Sequence, residues 1–166
     1  MEFYILRHAI AVPRGTPGYP NDDRPLTDEG IRKMRRAARG LKRILPELDA
    51  ILTSPMKRAA ETAHIVAEAL HLEDRLFIAE SLKPGMNEKR VFAELANYNH
   101  ARALMLVGHE PDLSTMASTL IGAPGAVLEL KKGCAVRIDV DAFPPHDTGR
   151  LVFLLQPKHL RALGSP

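Results

Sequence analysis

Tryptophan is missing from the 166-residue chain, and cysteine occurs once, as Cys134. A single thiol excludes an intrachain disulfide and a multi-cysteine zinc site. It suits a reducing compartment, and its simplest role is that of a small buried apolar residue. Aromatic residues amount to only 5%, with no dense basic run and no known nucleic-acid motif, so no nucleic-acid partner is expected. Long hydrophobic runs are lacking as well. The stretches 103–107 and 151–155 are far too short to cross a bilayer as helices, and no membrane partner is expected. The N-terminus does not read as an export signal: an acid stands second and the apolar run stops at Arg7, which implies a cytoplasmic protein. Nor is there a large charge imbalance. Against 23 basic residues stand 20 acidic ones, net +3, which permits an anionic partner without requiring one.

What is present is 45% hydrophobic and 26% charged, the balance of an ordinary globular protein rather than a disordered one. The length fits one domain across residues 1–166, with room for a sizeable core. No internal repeat, low-complexity tract or cluster of metal-ligand spacing appears.

Residues 3–6 form a short apolar run that reads as a buried strand, with Arg7 and His8 at its C-terminal end. Residues 13–25 hold four prolines and two glycines and must be a loop. Thr27 then reads as a helix N-cap, with Asp28 and Glu29 in the first turn. Ile31, Met34, Ala38, Leu41 and Leu45 recur at helical spacing up to Pro46. The basic residues between them, Arg32, Lys33, Arg35, Arg36 and Arg39, read most simply as a solvated face.

Residues 50–53 read as a second strand. Ser54-Pro55 reads as a helix start, with Ser as N-cap, Pro at the first helical position and Arg58 in the first turn. A third short strand is expected over 76–79, a turn over 83–85, and a helix over 87–98. The clearest buried strand, 103–107, ends at Gly108-His109, and Pro111-Asp112 opens a further helix to about Leu120. Two last strands, 134–140 and 150–155, are joined too closely for a parallel crossover and should form an antiparallel hairpin. The tail, 156–166, fits either a short helix or a disordered end.

Alternating strands and helices imply an α/β fold: a three-layer αβα sandwich on a mostly parallel sheet with an antiparallel edge hairpin. In such sheets ligands bind beyond the C-terminal strand ends. Arg7-His8, the segment Ser54 to Arg58, and Gly108-His109 all follow expected strands and so converge on one rim. An Arg-His pair, Arg58 or His109 alone carries little meaning; their joint occurrence does. His64, His71, His100, His146 and His159 have no such context and are assigned to surface or packing.

These segments resemble the histidine phosphatase (phosphoglycerate mutase-like) superfamily. Leu6-Arg7-His8-Ala9 resembles its Arg-His-Gly/Ala signature. The segment from Ser54-Pro55 through Arg58-Ala59 to Thr62-Ala63 resembles its Ser-Pro-x-x-Arg-Ala-x-x-Thr-Ala block, and Val107-Gly108-His109-Glu110-Pro111 the block of its second histidine. Within the superfamily the likeness is closest to SixA-type phosphohistidine phosphatases. The chain is short, Arg24-Pro25-Leu26-Thr27 opens a segment frequent in that branch, and residues 81–98 leave no room for a large cap insertion.

The resemblance implies catalytic roles for His8, Arg7, Arg58 and His109. His8 would attack phosphorus and carry a phosphohistidine intermediate. Arg7, Arg58 and His109 would bind the phosphoryl oxygens. Arg24 is a further phosphate-binding candidate, with a capping or surface role equally open. For a general acid, Glu80 and Asp23 compete with no acid at all. The implied activity is a phosphatase without metal or cofactor, acting on a histidine-phosphorylated protein, such as a phosphorelay or phosphotransfer carrier. The alternatives are a phosphomonoesterase for a small metabolite and a non-catalytic phosphate-recognition module.

Overall fold

A computed structural model describes residues 1–19, 22–125 and 128–165. Its centre is a six-stranded sheet built from β1 (Glu2–Arg7), β2 (Ala50–Thr53), β3 (Leu76–Ile78), β4 (Ala103–Gly108), β5 (Ala135–Asp139) and β6 (Arg150–Leu155). The strand order is β3-β2-β4-β1-β5-β6. The first four strands run parallel, and β5 and β6 complete the sheet antiparallel. The expected edge hairpin is therefore present.

The layers follow from the two-residue alternation of side chains along a strand. On one face, Tyr4, Leu6, Met105 and Val107 meet α1 (Asp28–Lys42), α2 (Lys57–Leu70) and α5 (Pro157–Leu163). On the other, Phe3, Ile5, Leu104 and Leu106 meet α3 (Glu88–Leu95) and α4 (Asp112–Leu120). All eight of these strand side chains are fully buried. Burying each such apolar side chain stabilises the fold by roughly 1.5–3 kcal/mol.

The register aligns the rim. Arg7 pairs with Gly108, and Thr53 with Val107. Beyond the strands, the His8 amide donates to the Gly108 carbonyl at 3.1 Å and the Ser54 amide to that of Val107 at 3.0 Å. Three chain segments thus leave the sheet side by side. Helix α1 holds the segment after β1 in place through Gly30, where a Cβ would lie 2.0 Å from the Ile10 carbonyl oxygen. Only a glycine allows that approach.

Two expectations need correction. Helix α2 starts at Lys57 and not at Pro55, with Met56 at the cap position. Ser54 Oγ accepts the Met56 amide at 3.2 Å, which closes a turn before the helix, so Ser54 is not its N-cap. The basic face of α1 is also not simply solvated. The tail forms α5, and Arg36 Nε donates to the Arg161 carbonyl at 3.0 Å while Arg39 Nε donates to that of Gly164 at 3.4 Å. Arg43, just past α1, donates to Leu163 at 2.5 Å. These cations meet carbonyls at the negative end of α5, where the last turn leaves them without helical partners. Gly40 permits the docking, since a Cβ there would sit 2.0 Å from the Leu160 carbonyl oxygen.

Between β3 and β4 lie short 3₁₀ turns and α3, with no large insertion. Among the described residues no helix is long and apolar enough to cross a membrane.

Candidate active site

His8 follows β1 directly and is buried, 6% exposed. Its Nδ1 lies 2.8 Å from the carbonyl oxygen of Ala9. A carbonyl only accepts, so Nδ1 carries the proton and Nε2 keeps its lone pair. The turn is braced from α2: the Ala9 amide donates to Thr62 Oγ1 at 3.0 Å, and Thr62 Oγ1 donates to the Arg58 carbonyl at 2.6 Å. Burial pushes the His8 imidazole down to about 3, with His109, Arg58 and Arg7 adding to the shift against the Ala9 contact. At neutral pH the ring is therefore uncharged.

His109 follows β4, and its ring centroid lies 5.3 Å from that of His8. Burial, then the neighbouring Arg58, lowers it to about 4. Its Nε2 lies 2.8 Å from Ser54 Oγ. That oxygen also accepts the Met56 amide, and its hydroxyl can donate to Nε2 in the tautomer whose lone pair sits there. His109 then carries its own proton on Nδ1, a buried atom with no protein partner.

Arg7 Nη1 donates to the Leu130 carbonyl at 2.6 Å, and Arg58 Nη1 to that of Asp22 at 2.8 Å. The Asp22 carboxylate lies 3.3 Å from Arg58 Nη2, 2.6 Å from Arg24 Nε and 3.2 Å from Arg14 Nη2. Hydrogen bonds from Arg24 and Arg14 hold it well below the usual carboxylate range. Asp22 therefore organises the arginines that the proline-rich loop and α2 bring together. The Nε atoms of Arg7 and Arg58 are buried without a partner. A buried donor left unpaired costs roughly 1–3 kcal/mol. Two such guanidinium donors, beside the unpartnered His109 Nδ1, fit an anionic ligand.

Arg7, His8, Arg24, Arg58 and His109 share the wall of one cavity of about 230 Å³, with Arg14, Pro84, Glu110 and Lys132 completing it. All five residues singled out in the sequence are thus brought together. Glu80 and Asp23 are not on that wall. Glu80 is exposed and pairs with Lys83 at 2.6 Å. Asp23 Oδ1 accepts the Lys57 amide at 2.9 Å, which caps the start of α2.

Sequence reasoning missed Asp22, Lys132 and the contact between Ser54 and His109. Ser54 stood inside a recognised block but looked like a helix cap. Asp22 and Lys132 had no sequence signal, because their places depend on how distant loops dock. No group of three or more His, Cys, Asp or Glu side chains able to hold a metal occurs among the described residues. Cys134 is fully buried, and burial raises its thiol to about 12.

Residues 3–83 match the model of the histidine phosphatase superfamily, branch 1. An uncharacterized protein of Picosynechococcus sp. is 35% identical over 166 residues, covering 96% of this chain and 99% of its own. The chain belongs to the histidine phosphatase superfamily. Among solved structures, the protein histidine phosphatase SixA complexed with tungstate aligns with a TM-score of 0.82 at 24% identity, over 96% of this chain and 99% of that one. The alpha-ribazole phosphatase of Shigella flexneri aligns with a TM-score of 0.74 at 20% identity, over 95% of this chain and 97% of that one. At these identities the two structures establish a shared fold.

Proposed function

We propose that this protein is a cytoplasmic, metal-independent phosphatase that removes phosphate from phosphohistidine in proteins. The observation that carries the reading is His8: a neutral ring, with Nδ1 engaged by Ala9 and the other nitrogen available as a nucleophile, in the wall of a cationic cavity. No large insertion stands between β3 and β4, which supports a bulky substrate.

In the first step the Nε2 lone pair of His8 attacks phosphorus, and the bond from phosphorus to the substrate nitrogen breaks. A substrate ring protonated on its other nitrogen departs as neutral imidazole, so no acid is required at the leaving group. This fits a wall on which neither Glu80 nor Asp23 stands. His8, now bonded to phosphorus at Nε2, still carries its Nδ1 proton. Arg7, Arg58 and Arg24 stabilise the charge on the phosphoryl oxygens, and the Nδ1 proton of His109 supplies a further donor. Water then attacks phosphorus, His8 leaves as neutral imidazole, and both water protons depart on dihydrogen phosphate.

Ser54 is a positioning residue in this scheme. Its hydroxyl proton directed at Nε2 selects the His109 tautomer that presents Nδ1–H to the phosphoryl group.

The test is phosphate release from a histidine-phosphorylated carrier protein, with wild type and His8→Ala compared in the presence of a chelator. Release by wild type alone is expected. Equal release by His8→Ala would overturn the mechanism. Saturable binding without release would make the protein a recognition module, and release only from small phosphate esters would move its substrate to metabolites.

A further inference from the structure

The cavity wall carries more positive charge than a phosphoryl group uses. Arg7, Arg14, Arg24, Arg58 and Lys132 provide five cations, against one carboxylate on the wall, Glu110. The Asp22 carboxylate behind them pairs with Arg14, Arg24 and Arg58. With both histidines neutral, five cations against two carboxylates leave an excess of three. A phosphoryl group brings about −1.5 to −2, so at least one cation is left over. The residue left over is Lys132. It is exposed and forms no ion pair among the described residues, whereas Arg14 and Arg24 pair with Asp22.

Lys132 is also fixed relative to the nucleophile, unlike an ordinary surface lysine. The next residue, Gly133, has φ of 82° and donates its amide to the carbonyls of both Arg7 and His8 at 3.1 Å. On the other side of Lys132, the Leu130 carbonyl takes the Arg7 guanidinium at 2.6 Å, and the Cys134 amide closes the turn onto Lys131 at 2.7 Å. The backbone of Lys132 is therefore tied to the end of β1, where His8 begins. Desolvation and then the like charges of Arg7, Arg24 and Arg58 lower its ammonium pKa, which a second anion would relieve.

We propose that Lys132, with Arg14 at the same mouth, receives a second anionic group that the substrate carries beside its phosphoryl group. This rests on the phosphohistidine reading, in which the group is an Asp or Glu side chain flanking the phosphohistidine. The enzyme then discriminates among phosphohistidine proteins by acidic context, a specificity carried by charge at the cavity mouth.

The experiment compares two histidine-phosphorylated peptides that differ only in Glu or Gln beside the phosphohistidine, using wild type, Lys132→Met and Lys132→Glu. In wild type at low salt, kcat/KM for the Glu peptide should exceed that for the Gln peptide about five- to tenfold, mainly through KM. The ratio should fall to near one in Lys132→Met and invert in Lys132→Glu. A wild-type ratio near one overturns the subsite. If wild type hydrolyses neither peptide, the phosphohistidine reading fails, and the subsite is judged on phosphoserine against p-nitrophenyl phosphate. A preference for the carboxylated ester that Lys132→Met abolishes sustains it with a small-molecule source; turnover of both esters without such a preference, or of neither, overturns it.

Discussion

Two groups of arginines in this molecule do similar work with backbone carbonyls and differ in what remains of them. Arg36, Arg39 and Arg43 lie on or beside α1, are exposed, and donate to carbonyls at the end of α5. Solvent reaches the rest of each guanidinium. Arg7 and Arg58 also donate to carbonyls, those of Leu130 and Asp22. Each of them, however, keeps a buried Nε with no partner, and Arg58 is only 3% exposed. The seam arginines complete a fold. The pocket arginines are held by the fold and left incomplete, which makes them ready for an acceptor from outside. Residue type does not distinguish the two groups; unsatisfied burial does.

The largest effect should come from breaking the pocket group. Arg58→Ala should lower kcat/KM on the order of 10²–10³-fold, the cost of one preorganised donor to transition-state charge. Arg58→Lys should recover little, because a point charge cannot replace the planar fork. Steady-state kinetics on the phosphorylated carrier would measure this, and a loss below threefold would place Arg58 with the seam group.

Next in size is Ser54→Ala, which keeps all the arginines but frees His109 to choose its tautomer. We expect kcat to fall roughly 10–100-fold with little change in KM, less than for outright loss of a donor because His109 still adopts the productive tautomer part of the time. Ser54→Thr, which keeps the hydroxyl, should restore part of it. Nitrogen chemical shifts of the His109 ring would report the Nδ1–H form in wild type and a mixture in Ser54→Ala. An unchanged tautomer in Ser54→Ala would reduce Ser54 to a purely structural role.

These contrasts show where the sequence is informative. The β1, β4 and α1 segments were legible because a buried run or a helical period is a local pattern with one physical cause. The convergence of Arg7, His8, Arg58 and His109 was legible because parallel strands bring their C-terminal ends to one rim. Ser54 was misread because Ser-Pro is also a helix start, and only the distance to His109 separates the two roles. Arg36 and Arg39 are exposed as expected, but their bonds to α5 were not legible, because the partners are carbonyls some 125 residues away in sequence, and carbonyls leave no mark on a sequence. Asp22 drew no notice for the same reason, while its neighbour Asp23 stood only as a candidate general acid: the docked loop alone shows that Asp22 meets the arginines.

A graded effect of pH should also separate the regions. His8 is held down near 3 and His109 near 4 by burial, whereas a histidine in the unfolded chain titrates near 6.5. Between those values the unfolded state binds protons that the native state refuses, so native stability rises with pH there. The contribution is complete above about pH 6.5 and is lost as pH falls toward 4 for His109 and toward 3 for His8. Urea midpoints should therefore drop from pH 7 to pH 5, and the drop should shrink in His109→Gln. Ring NMR titrations showing His8 and His109 protonating near 6.5 would refute the buried, neutral pair.

The smallest expected effect is at the seam. Arg36→Ala removes donors to the Arg161 carbonyl and to the Ser165 hydroxyl, both at an exposed site where water can replace them. The loss should be about 1 kcal/mol or less, readable as a small shift in the urea midpoint. Turnover should stay at the wild-type level, because the variant leaves the register of β1 and β4 and the cavity wall untouched. Paired with Arg58→Ala, it makes a double dissociation: one arginine governs turnover and the other only stability. A turnover loss in Arg36→Ala comparable with that in Arg58→Ala would mean that α5 docking reaches the rim through α1 and Gly30. The distinction between completed and incomplete arginines would then fail as a guide to function.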